Sequence, residues 1–122
     1  MVIEKANLVE KFSRFNDLWS PKIIGEVDNY HVKIVKVQGE FVWHQHDDED
    51  ELFYVMQGRL TIELREQADI VLGPGEFAVI PKGIEHRPIA ESETHILLFE
   101  RQGTLNTGDV QDERTVTDPE RL

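Results

Sequence analysis

Apolar residues recur with two different periods along this chain. Between residues 7 and 16, Leu8, Phe12 and Phe15 make a stripe at helical spacing. Asn7 stands in a capping position and Glu10 three residues on, the arrangement of a capping box, so a short helix is predicted over 7–16. Ser20-Pro21 ends that pattern. Strand-like runs follow over 22–27, 30–37, 41–46, 52–56, 60–65, 69–72, 77–80 and 94–100. Turn formers punctuate them at Asp28-Asn29, Gly39, Gly58, Gly73-Pro74-Gly75 and Pro81-Lys82-Gly83. Many short strands with close turns predict an all-β sandwich or barrel.

Side chains alternate along a strand, which sorts the central runs into faces. If 41–46 is a strand, Val42, His44 and His46 point inward and Phe41, Trp43 and Gln45 outward. In the next strand Glu51, Phe53 and Val55 share one face, with Leu52, Tyr54 and Met56 opposite. Both faces carry large apolar groups. One fills a barrel; the other needs cover from the N-terminal helix or from a second subunit, and a homodimer is the expectation. Trp19, Trp43 and Tyr54 read as packing or interface aromatics.

The division expected from this pattern is a helix and arm over 1–19, a barrel over 20–100 and a polar tail over 101–122. That last stretch has few large apolar residues and several turn formers, so a solvated or partly ordered tail, dispensable for folding, is expected. The alternative is an arm or lid across the barrel mouth or a neighbouring subunit.

Charge narrows the partners. With 24 acids against 13 bases, the net charge of −11 repels phosphate backbones and anionic lipid headgroups, so neither nucleic acid nor membrane is an expected partner. The acids in MVIEKANLVEKF exclude a secretory signal peptide, and no apolar run approaches the length of a membrane span; the cytoplasm is the expected compartment. Cysteine is absent, which excludes disulfides and thiolate ligands.

The candidate chemistry lies in two spacings. His44-x-His46-x4-Glu51-x6-Gly58 is followed by Gly75-x5-Pro81-x-Gly83-x2-His86. Together they offer three imidazoles and one carboxylate, a donor set suited to a borderline divalent metal. Glu51 is preferred to Asp50 because it keeps step with Phe53 and Val55. Asp47, Asp48, Glu49 and Asp50 read as solvated loop acids, with attraction of cations to the mouth as the functional alternative. His31 and His95 fall outside both motifs and read as ordinary histidines.

These two spacings resemble the signature motifs of the cupin superfamily, G-x5-H-x-H-x3,4-E-x6-G and G-x5-P-x-G-x2-H-x3-N. Gly39 leaves four residues before His44, one fewer than the family spacing, and Ala90 replaces the final Asn. Sixteen residues separate Gly58 from Gly75, as in small microbial cupins, and the resemblance extends over about residues 20–100. It implies a double-stranded β-helix, a jelly-roll barrel. It further implies a divalent metal (Fe, Mn, Ni or Zn) held by His44, His46, Glu51 and His86, with a small-molecule ligand beside it. Two functions follow: a metal-dependent enzyme such as a dioxygenase or isomerase, or a non-catalytic module that binds or senses a small molecule or metal. A structural protein that keeps its metal for stability is a third. No Gly-rich phosphate loop, Ser-His-Asp order or basic stripe is present.

Overall fold

The computed structural model describes residues 1–122, and alternation from residue 22 onward is realised as eight strands. They are β1 (Lys22–Val27), β2 (Tyr30–Glu40), β3 (Glu51–Gln57), β4 (Leu60–Leu64), β5 (Ile70–Leu72), β6 (Phe77–Ile80), β7 (His86–Arg101) and β8 (Glu120–Arg121). The long β2 and β7 organise the barrel. They pair with each other over most of their length, while β7 takes β4 along its first residues and β3 along its last. Two sheets, β5-β4-β7-β2 and β6-β3-β7-β2-β1-β8, therefore share one central pair and roll around a common interior. The register of that pair shifts between Val37 and Gly39, where Gly39 holds φ 88°. This is the double-stranded β-helix expected from the motifs.

Gly58 shows why a motif position is glycine. Its φ is 92°, and a Cβ there would come within 2.5 Å of Thr94 Oγ1 and 3.0 Å of Thr94 Cα. The β3–β4 turn is thus pressed against the bend of β7, where buried Thr94 exchanges hydrogen bonds with the Arg59 backbone.

The interior is filled by inward residues of the strands, among them Val35, Val55, Leu60, Ile62 and Ile96. Each large aliphatic group of this kind contributes about 1.5–3 kcal/mol by burial. On β3 the expected alternation holds, with Glu51, Phe53 and Val55 buried and Leu52, Tyr54 and Met56 only partly so. A second, smaller cluster lies outside the barrel: Phe12, Phe15 and Ile34, with Leu8, Ile24, Met56, Leu97 and Leu122 packed on it. The helix that supplies it, α1 (Leu8–Phe12), is capped by Asn7, whose side chain accepts from the Glu10 amide. It is shorter than the predicted 7–16. Ser13 closes it by bonding the Glu10 carbonyl, and Glu10 itself pairs with Arg14 rather than completing a capping box.

Two further expectations are corrected. Residues 41–46 form no regular strand; only an isolated bridge joins His44 to His86. The next pair in that antiparallel register would set residue 42 against residue 88, and Pro88 has no N–H to give. With the ladder broken, alternation fails, and Phe41 is buried against Trp19 instead of facing outward (ring centroids 4.6 Å apart). Residues 101–122 are not a solvated tail. They run along the barrel as a turn-rich arm, with Thr104 and Thr107 buried and β8 pairing in parallel with β1. Arg114 bonded to Glu40 O and Leu122 N bonded to Ile23 O tie it to the barrel, Leu122 also joins the outer apolar cluster, and polar contacts order the arm itself. Asn106 bonds Arg114 O and Val116 N, and Thr107 bonds Thr115.

Candidate metal centre

All four residues singled out in the motifs converge inside the barrel. His44, His46, Glu51 and His86 are buried, and one donor atom from each lies within 4.8 Å of the others. Three pieces of chain supply them: the irregular 44–46 segment, the first residue of β3 and the first residue of β7. His44 and His86 exchange backbone hydrogen bonds (3.0 and 2.9 Å), which sets their rings 4.5 Å apart.

Backbone carbonyls orient the rings. His44 Nδ1 lies 2.9 Å from Val42 O, and His86 Nδ1 lies 2.9 Å from Ile84 O. A carbonyl only accepts, so each Nδ1 carries the proton and each Nε2 presents its lone pair to the centre, as metal-ligating imidazoles require. Val42 O is the carbonyl that a residue other than Pro88 would occupy. The proline that breaks the strand thereby frees the acceptor that fixes His44.

Across the centre, His46 Nε2 is 3.2 Å and His86 Nε2 3.6 Å from Glu51 Oε1, yet none of these three atoms has an aligned hydrogen-bond partner. Only five buried side-chain polar atoms in the chain are left so. Three fall in this cluster, and a fourth, Glu100 Oε2, adjoins it. Each orphaned buried group costs about 1–3 kcal/mol, so their concentration at one point marks a place built for an atom the protein itself does not supply.

The electrostatics agree. Burial, reinforced by neighbouring His86, pulls the pKa of His44 down to about 4, so it is neutral at neutral pH. Burial also acts on His46, but contact with Glu51 outweighs it and raises its pKa. For Glu51, burial is overcome by contacts with Glu100, His46 and His86, which hold its carboxyl well below the ordinary range.

The remaining histidines stand elsewhere. His95 stacks on Phe12 (4.6 Å) and contacts Glu93, while His31 is buried near Glu26. Asp50 is exposed and accepts from the Lys82 amide, which leaves Glu51 as the inward acid. Trp43 is covered by its own chain, with the Arg65 guanidinium 3.8 Å from its ring centroid. Asp47, Asp48 and Glu49 line an open cleft with His46 and Asp109.

Several supporting residues were not singled out in the sequence. Gly108 and Asp109 of the arm bracket the peptide between His44 and His46: Asp109 N donates to Gln45 O and Gln45 N donates to the Asp109 carboxylate, both at 3.0 Å. Behind Glu51, its β7 partner Glu100 is buried and bonded to buried Lys33 at 2.9 Å. Glu100 keeps step with the inward Ile96 and Leu98, a signal that was readable in the alternation. Beside His44 and Glu51 lies a narrow cavity of about 30 Å³, room for one or two waters. Trp19, Phe41, Phe53, Val35, Ile96 and Leu98 form much of its wall, and no lysine or arginine lines it.

This barrel and centre define a cupin. The family model for the cupin domain matches residues 31–100, and the chain belongs to that superfamily. A solved cupin-2 domain containing protein from Shewanella frigidimarina NCIMB 400 superposes with a TM-score of 0.78 at 52% identity, over 80% of this chain and 94% of that one. The protein YdbB of Bacillus subtilis (strain 168) is 41% identical over 64 residues, covering 52% of this chain and 57% of its own. A 3-hydroxyanthranilate 3,4-dioxygenase 2 of Aspergillus fumigatus is 32% identical over 89 residues, covering 69% of this chain and 46% of its own. The chain thus spans about half the length of these two curated relatives. No helix is long and apolar enough to cross a membrane.

Proposed function

We propose that this cupin holds one divalent metal through His44, His46, Glu51 and His86 and binds or transforms a small molecule in the adjoining cavity. The observation that carries the reading is the meeting of three orphaned donor atoms, His46 Nε2, Glu51 Oε1 and His86 Nε2, with the lone pair of His44 Nε2. Three neutral imidazoles and one carboxylate fit manganese, iron, nickel or zinc, and leave about two positions of an octahedral ion free. Bound there, such an ion supplies Lewis acidity and, where redox-active, electron transfer.

The chemistry of the cavity wall, rather than its present room, indicates the kind of molecule it would open to take. Aromatic faces at Trp19 and Phe41 and aliphatic groups around them suit a flat, largely apolar ligand with a polar end at the donors. An anionic aromatic, such as the 3-hydroxyanthranilate in the name of the Aspergillus relative, would meet no cationic side chain on this wall. We therefore favour a neutral aromatic or similarly flat neutral molecule. Quenching of Trp19 fluorescence in the manganese-loaded protein tests this. Phenol is expected to bind at least tenfold more tightly than benzoate, and the reverse order would contradict the reading.

Turnover is the favoured role, on the strength of the open coordination positions. A binding module without turnover is the second reading. It is favoured by the lack of a free acid or base on the wall: His44 and Glu51 are donors to the centre, and the Asn106 side chain is engaged by the arm. Oxygen uptake and product analysis with the iron-loaded protein and neutral phenols separate the two.

A further inference from the structure

Behind the four donors lies a buried lysine–glutamate pair that the coordination reading leaves unused. Glu51 opens β3, and its cross-strand partner on β7 is Glu100. The two side chains stand directly opposite each other across the ladder, and both are buried. Glu100 is 1% exposed, and one of its oxygens accepts from Lys33 Nζ at 2.9 Å. Lys33 is 2% exposed and also donates to Thr104 O of the arm at 3.4 Å. The other oxygen, Glu100 Oε2, has no hydrogen-bond partner.

A lysine and a glutamate taken out of water together are costly to keep. A barrel interior otherwise filled by Val35, Val55, Ile62 and Ile96 would pack a leucine and a methionine there more cheaply. What such a pair adds is a fixed direction. Lys33 holds one oxygen of Glu100, and the other is unpartnered in a residue set directly across the ladder from Glu51, the one anionic donor of the centre.

We propose that Glu100 and Lys33 are positioning residues that fix the Glu51 carboxylate so that Oε1 points at the three imidazoles. This rests on the reading of His44, His46, Glu51 and His86 as metal ligands. Neither Lys33 nor Glu100 lines the cavity; the pair acts through Glu51, which does. Lys33 also reaches the arm, so the pair adjoins the 103–110 segment that brackets Gln45.

Cobalt provides the test, because its visible absorption reports coordination geometry independently of turnover. Wild type is expected to take up one Co²⁺ per chain, and its failure to bind would remove the metal reading and this proposal together. With wild type binding, Glu100→Leu is expected to lose about 10–100-fold in affinity, the range seen when groups that orient metal ligands are removed, and to change the absorption envelope. Glu100→Gln keeps an acceptor for Lys33 and a polar group of the same shape opposite Glu51, so it is expected to keep the wild-type spectrum and an affinity within about threefold. Should Glu100→Leu not fold, Lys33→Met carries the same expectation of weakened affinity and altered spectrum. A wild-type spectrum and affinity in the apolar variant that folds would overturn the proposal while leaving the metal reading intact. Equal losses in Gln and Leu would also overturn it, since the hydrogen bonds would then be irrelevant.

Discussion

Gly108 is the point at which the arm's role can be measured apart from the barrel's own stability. Its φ is 57°, and a Cβ there would lie 2.9 Å from the Gln45 carbonyl carbon, closer still to its oxygen, and 3.1 Å from His44 Cδ2. Alanine at this position meets two costs. The left-handed backbone disfavours a Cβ by about 1–2 kcal/mol. Displacing the Gln45 peptide, which Asp109 holds on both sides, adds about 1–3 kcal/mol by the usual cost of overpacking. Gly103 is the control: it also has a positive φ, 88°, but its Cβ would meet nothing within 4 Å, so only the backbone cost applies. The difference between Gly108→Ala and Gly103→Ala therefore isolates the contact with the ligand segment. For a domain of this size 1 kcal/mol moves Tm by about 3–5 °C, so Gly108→Ala is expected to melt about 3–15 °C below Gly103→Ala. If the arm undocks instead of the barrel unfolding, the shift appears as faster proteolysis within 103–119 and lower metal content. Matching Tm, proteolysis and metal content in the two variants would refute the account of the arm as part of the site.

Three further outcomes follow from the geometry. Metal-free protein is expected to lose stability as pH falls from about 6.5 to about 4, because unfolded His44 takes up a proton that the folded one refuses. The loss is on the order of 3 kcal/mol, and urea titrations in chelator across that range should show a slope that His44→Gln flattens. The contribution of His46 has the opposite sign, being lost as pH rises through its raised folded value. Second, Glu51→Gln is expected to abolish tight metal binding while Asp50→Asn leaves it unchanged, because Asp50 faces the Lys82 amide; the opposite result in metal analysis would shift the register by one residue. Third, the chain is expected to dimerise through the uncharged outer face of β3 and β6, where Leu52 pairs with Val79 and Tyr54 with Phe77. Phe77 and Val79 are 62% and 50% exposed there, and Phe77→Lys should convert a dimer to a monomer in sedimentation equilibrium. A monomeric wild type at micromolar concentration would contradict this.

The donor set was legible because its residues lie in two short spacings, and because β3 obeys strict alternation from Glu51 to Val55. Fold class was legible for a related reason: the turn formers sit where the strands end. Local pattern misled where the chain's partner decided the outcome. The 41–46 run has strand composition, but its neighbour presents Pro88, and no inspection of residues 41–46 alone reveals that missing N–H. Likewise the arm looked solvated because its composition is polar, whereas it is held by side-chain hydrogen bonds of Asn106, Thr107 and Asp109 that leave no hydrophobic signature. Glu100 was missed for the reverse reason. Its inward register was readable, but a buried acid becomes meaningful only once Lys33 and Glu51 are placed beside it.

The central claim is that four buried side chains exist to hold one metal ion. Its most direct measurement is the metal content of the protein, purified after supplementation with manganese, iron, nickel and zinc and determined by mass spectrometry of the elements alongside amino-acid analysis. The account predicts about one divalent ion per chain in wild type. It predicts a near-complete loss in His86→Ala, whose ring is fully buried at the centre and held by Ile84 O. Wild-type protein that is folded yet carries no ion after supplementation, or a His86→Ala variant that retains a full complement, would contradict it.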